Sequence, residues 1–262
     1  MAAGTTSAPV GARRRQVTNI LAYALVITVN GLANALPING VTSGEVSDQY
    51  ASLVTPAGYV FSIWGVIYAL LAVFVGYQTL PAQRDDARLQ RLGYAFAVSC
   101  LCNVAWLFAW HHQQIVVAWV LIVALLVTLT VCYERVRSAP YGRIERFTVV
   151  LPFSVYLGWV TVATVANTAI VLLDLGVDGG GTAPAWGVVA IAAAAAVGVT
   201  MLLRRADIAF NLVLVWAFAG IAVAQSQRSG LIVGVAIGAC VVLAVAVAWH
   251  AVSERTARPA GV

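Results

Sequence analysis

Charge is what this chain has least of. Asp, Glu, Lys and Arg make up 10% of its 262 residues, where a soluble domain carries roughly a quarter. Lysine is missing altogether, which excludes a retinal Schiff base. Histidine is scarce: His111 and His112 sit together at the end of one apolar segment and His250 at the end of another. The buried histidine pair on facing segments that a membrane haem protein uses is therefore absent. Cys100, Cys102, Cys132 and Cys240 all fall inside apolar segments, without metal-ligand spacing or a disulfide framework. No charged residue lies in mid-segment, which argues against the proton relays and ion paths of a coupled pump. Nucleotide loops, nucleophile motifs and long repeats are missing as well. No catalytic residue and no metal site is expected.

Apolar sequence is what remains. Hydrophobic residues make up 61% of the chain and the mean hydropathy is +0.90. Runs of about 20 apolar residues recur along it, the length that spans a bilayer as a helix. We read eight spans, 17–36, 56–80, 89–110, 114–133, 147–173, 185–203, 208–225 and 231–250, forming an all-α polytopic membrane bundle. Residues 1–16 and 252–262 are expected to be cytoplasmic tails. With the N-terminus inside, every arginine except Arg228 falls on the cytoplasmic side, as the positive-inside rule requires. The net charge of +5 thus reports topology, and no basic face is organised for nucleic acid. An integral protein of a bacterial plasma membrane is expected, with both termini cytoplasmic and lipid as its solvent. The stretch 13–37 also reads as a signal peptide cleaved after Ala35, although Asn30-Gly31 and Pro37 break that pattern.

The polar and aromatic residues inside the spans share one depth. At a rise of about 1.5 Å per residue, Asn30, Trp64, Asn103, Trp106 and Asn167 all lie about 6–12 Å beneath the outer ends of their helices. They also share faces. Phe61, Trp64 and Tyr68 are spaced three and four, and so are Asn103, Trp106 and Trp110. Tyr156, Trp159, Ala163 and Asn167 continue the rule, with Ala163 as a notch. Residues three and four apart line one side of a helix. Aromatic walls with a few amides describe a pocket for a flat apolar ligand. Interface belts account for Trp110, Trp186 and Trp249 without a ligand, and amides also bond between packed helices. Residues 37–55, with Asn39, Glu45 and Asp48, are long for a helix connection and are expected to act as a lid. Gly230, Gly234 and Gly238 recur every fourth residue, a face for close packing within the chain or for a homodimer.

The same residues resemble the tryptophan-rich sensory protein and translocator-protein (TspO/MBR) family. Asn103 and Trp106 resemble its Asn-x-x-Trp helix, and Tyr156, Trp159, Ala163 and Asn167 its most specific pattern. Pro56, Tyr59, Phe61, Trp64 and Tyr68 resemble its second helix, with Tyr59 where the family usually has Trp. The resemblance covers about residues 17–175. It implies a five-helix bundle with a ligand pocket under the first loop, extended here by three helices over 176–251. It also implies a ligand class: tetrapyrroles such as protoporphyrin or haem, or sterol-like and drug-like molecules, and it adds Tyr59 to the expected site. The favoured function is binding of such a ligand as a sensor, carrier or regulator. A facilitator or exporter of a small metabolite is the alternative, and a porphyrin-degrading membrane enzyme a further one.

Overall fold

The computed structural model describes residues 10–36, 38–50 and 52–256. Residues 1–9 and 257–262 of the expected tails, and Pro37 at the start of the lid loop, lie outside the described residues. Among the described residues the structure is all-helical. The elements are α1 (Val10–Ala35), a short α2 (Ser43–Asp48), α3 (Ile63–Thr79), a short α4 (Ala87–Leu92), α5 (Ala95–His111) and α6 (Ile115–Val136). They continue with α7 (Arg143–Glu145), α8 (Leu151–Asp174), α9 (Ala183–Arg205), α10 (Ile208–Ala224) and α11 (Gly230–Thr256). Apolar helices stand where all of the expected spans fall. Six are long and apolar enough to cross a membrane, and α5 and α10 are shorter apolar helices.

Local chemistry sets the boundaries. A 3₁₀ turn, Gly58–Ser62, feeds α3. Thr42 caps α2 through a capping box with Glu45. Asp86 caps α4 by accepting from Leu89 N at 2.8 Å. A π-helical turn, Arg146–Val150, precedes Pro152 near the start of α8. The wider turn sits where the proline has no N–H to donate. The joint between α9 and α10 is very tight. Ala206 takes the left-handed conformation (φ 52°) and Asp207 caps α10, accepting from Phe210 N at 3.0 Å.

Helices α1, α3, α5, α6 and α8 pack into one bundle, while α9, α10 and α11 form a second group that docks mainly through α10 on α8. Helix α8 is the axle: 78% of its apolar window is buried, against 17% for α11. Its contact with α10 depends on Gly158, where an added Cβ would meet Phe210 O at 3.2 Å. Gly187 and Gly198 serve the packing of α9 in the same way, facing Ile232 and Leu214. The glycines expected to pack closely, Gly230, Gly234 and Gly238, meet nothing within 4 Å. The expectation of packing within the chain is corrected, because their face of α11 points away from the rest of it.

Three charged residues near the arginine-rich ends of the helices, Arg15, Arg88 and Asp207, are buried. Helix α1 begins at Val10 and carries Arg13–Arg15 within it, and Arg15 is buried. Asp207, which reads in sequence as a loop residue, is 4% exposed. It accepts from Tyr133 Oη at 2.8 Å and Ser154 Oγ at 2.7 Å and lies 3.8 Å from Arg137. One carboxylate therefore ties α6, α8 and α10 together. Gln16, Asn19 and Gln78 form a second inner cluster, with Asn19 Nδ2 donating to Gln78 Oε1 at 2.9 Å. Amide pairs of this kind join helices where lipid offers no hydrogen bonds.

Candidate functional site

The three-four spacing brings its residues together. Trp64 of α3 is the hub of the outer half of the bundle. Its ring stacks on Tyr68 at 5.6 Å and lies 5.8 Å from Trp106, 5.9 Å from Tyr156 and 6.1 Å from Trp159. Phe61 meets Trp159 edge-on at 5.7 Å, and Trp106 stacks on Trp110 at 6.0 Å. Stacked and edge-to-face pairs at these separations are each worth about 0.5–1.5 kcal/mol beyond plain burial.

Amides support the rings from behind. Asn30 Nδ2 donates to Asn103 Oδ1 at 2.9 Å, and Asn103 Nδ2 donates to Tyr156 Oη at 3.0 Å. This chain links α1, α5 and α8 and is fully buried. Asn167 Oδ1 accepts from Trp106 Nε1 at 3.3 Å, while its Nδ2 donates to Ala163 O one turn back. The indole N–H of Trp159 is buried and finds no hydrogen-bond partner among the described residues.

A crevice opens between these rings. Phe61, Trp64, Trp106, Trp110, Trp159, Ala163 and Asn167 line it, with Ser47 and Pro56 above. Its free volume is about 20 Å³, room for a water molecule but not for a macrocycle. Ala163 does form the notch expected of it. Asn30, Tyr68 and Tyr156 stand behind the lining and hold it.

Tyr59 is placed differently. It belongs to the 3₁₀ turn before α3, is 50% exposed, and packs edge-on against Trp216 of α10 at 5.5 Å. Two residues before Phe61, it faces another side of the backbone and is not part of the crevice.

The lid is built from other residues than those expected. Glu45 and Asp48 are exposed and do not line the crevice. Glu45 closes the α2 capping box, and its hydrogen bonds to the Thr42 backbone N–H and then the Thr42 hydroxyl hold its carboxyl below the usual range. Asn39 reaches the bundle from the side, donating to His111 O at 3.1 Å. The contacts over the crevice come from Ser43, whose carbonyl accepts from Trp110 Nε1 at 3.1 Å, and from Ser47 and Pro56. The loop is then fastened sideways. Tyr50 Oη donates to Asp174 at 3.1 Å, Gln225 Nε2 to Ser52 O at 3.2 Å, and Ala57 N to Gly220 O at 3.1 Å. Burial, and then the Asp174 carboxylate, push the Tyr50 phenol up to about 12. Gly220 is required at that seam, since a Cβ there would come within 2.1 Å of Val60.

His111 and His112 each keep Nδ1 on a carbonyl of their own helix. No cluster of metal-ligating side chains occurs among the described residues, and all four cysteines are free.

A second, unexpected cavity of about 320 Å³ lies on another side of α8. It lies between the outer halves of α8 and α9. Ser52–Val54 and Val177–Gly179 close its outer end. Its signal was an absence of bulk: alanine and glycine recur along the facing side of α9.

Two packed groups of apolar helices, six of them long and apolar enough to cross a bilayer, define a polytopic integral membrane protein. The chain matches the family described as TSPO-like protein over residues 16–249, and it belongs to that family. The match runs from α1 into α11, so α9–α11 are part of the family's pattern. The match includes residues 17–175, on which the resemblance was read, and extends beyond them. No curated protein and no solved structure matches the chain.

Proposed function

We propose that the protein binds a planar, mostly apolar ligand of the tetrapyrrole class between the indoles of α3, α5 and α8, and acts as a sensor, carrier or regulator. In this reading all eight apolar helices span a bacterial plasma membrane, with both termini on the cytoplasmic side. The observation that carries it is the convergence of Trp64, Trp106 and Trp159 beside a buried, unpartnered indole N–H. A buried donor without an acceptor costs about 1–3 kcal/mol. A guest with a carbonyl or carboxylate edge would recover that energy, while its ring stacks on the indoles.

The crevice is closed, so binding requires the loop from Ser43 to Pro56 to lift and the rings to part. The fastenings of that loop are few and individually weak, at about 1 kcal/mol each. No ionisable side chain lines the crevice, which favours binding over acid–base chemistry.

Titration of the purified protein with protoporphyrin IX, followed by tryptophan fluorescence, tests the reading. Saturable quenching is expected. It should disappear in the double variant Trp64→Ala, Trp159→Ala and persist, weakened, in Trp64→Phe, Trp159→Phe, which keeps the packing. Absence of saturable quenching, or quenching indifferent to the alanine pair, overturns the proposal.

A further inference from the structure

We propose that the groove between α8 and α9 is a second binding site, specific for a lipophilic cation that arrives from the bilayer. Three features point to that class of ligand.

The first is volume. About 320 Å³ falls at the lower end of small-molecule sites, which run from roughly 300 to 1,000 Å³. The hollow persists because its walls are short. Val165, Ala169 and Leu172 of α8 face Ala190 and Ala193 of α9 across it. Val189, on the groove's rim, is 64% exposed, so the opening faces the lipid side of the helices.

The second is the sign of the charge. Asp178 is the only ionisable residue among those lining the groove. Its Oδ1 accepts from Gly180 N at 2.9 Å, which fixes the carboxylate at the mouth. Asp174 lies one turn away, at the end of α8. The carbonyl end of α8 and the N–H end of α9 both lie at this mouth and offset each other, so the carboxylates set its sign. No arginine lines the cavity.

The third is an aromatic face. Trp186 lines the same cavity, is 63% exposed, and is held by a hydrogen bond from Nε1 to Thr182 Oγ1 at 3.2 Å. An indole face attracts a cation within about 6 Å of its centre, by about 0.5–2 kcal/mol. Deeper in the groove the one hydroxyl of α8, Thr168, is already engaged with Trp119 and Thr164. The interior thus offers apolar contact and the mouth offers negative charge. A fatty acid or an anionic lipid head would meet repulsion at that mouth.

Two ions of nearly equal shape and opposite charge make the test. Tetraphenylphosphonium and tetraphenylborate are each equilibrated with the purified protein in a non-ionic detergent, and protein-free micelles are subtracted. Saturable binding of the phosphonium and none of the borate is expected. Asp178→Asn, at an exposed position that bears no packing, should weaken phosphonium binding about tenfold. Ala190→Trp should abolish it by filling the groove. The pair Trp64→Ala, Trp159→Ala should leave it unchanged, which separates this site from the crevice. Equal binding of both ions, indifference to Asp178→Asn or to Ala190→Trp, or loss in the tryptophan pair would each overturn the inference.

Discussion

One face of α8 is crowded with rings, while the face toward α9 borders a hollow. Both faces are apolar, so hydrophobicity does not explain the difference. What differs is the size of the side chains opposite. Toward α3 and α5, Tyr156 and Trp159 meet Trp64, Phe61 and Trp106, and little more than the volume of a water is left. Toward α9, Ala169 and Val165 are opposed by alanines, and about 320 Å³ stays free. Inside a membrane, burying apolar surface against protein instead of lipid yields little, and packing contacts decide. Empty space on one side of a helix is therefore tolerated, because lipid or a guest can fill it.

The largest test of this contrast removes bulk from the crowded face. Trp159→Ala is expected to cost about 3 kcal/mol, as large-to-small changes in close-packed interiors do. The readout is thermal unfolding in detergent, and a change under half a kcal/mol would mean that the crevice is not packed as described. Asn103→Ala should come next, at about 2 kcal/mol, because it removes an acceptor from Asn30 and the donor to Tyr156 Oη inside the bundle. Ala169→Leu, on the hollow face, should stay within about 0.5 kcal/mol, as substitutions that meet open space do. Should it destabilise as much as Trp159→Ala, the two faces would not differ.

The smallest effect concerns the loop between them. Folding raises the Tyr50 phenol from its ordinary value of 10.0 to about 12. A proton held more tightly in the folded state stabilises it fully below the unfolded value and less as pH climbs through the folded one. The contribution of Tyr50 should therefore be intact below pH 10 and fade toward pH 12. The difference in tyrosinate absorbance between wild type and Tyr50→Phe isolates this titration. A midpoint at 10 would mean that the bond to Asp174 does not hold in solution.

Helical periodicity made much of the crevice readable in advance. Asn103 and Trp106, and Trp159 with Asn167, lie on straight helical stretches, where spacing alone fixes the face, while Phe61 reaches the same crevice from the 3₁₀ turn before α3. Tyr59 entered the expected site through the resemblance alone, and its spacing of two from Phe61 never placed it on that face. The loop over the crevice stood out by its length, yet its charged residues drew attention although its backbone and serines make the contacts. Glycine spacing misled at α11, since a stripe shows where close approach is permitted and not whether a neighbour is there. Gly158, Gly187, Gly198 and Gly220, without any regular interval, perform that role. Asp207 and the α8–α9 groove were beyond reach for one reason: each depends on what distant segments bring to the spot.

The stretch from Ser47 to Pro56 covers the crevice with its two ends and walls the groove with Ser52–Val54 in its middle. A partition shared by two chambers makes them correspondents. If guests occupy both, one that displaces the partition from its side would alter occupancy on the other, and thermodynamic reciprocity demands that the influence be equal in both directions.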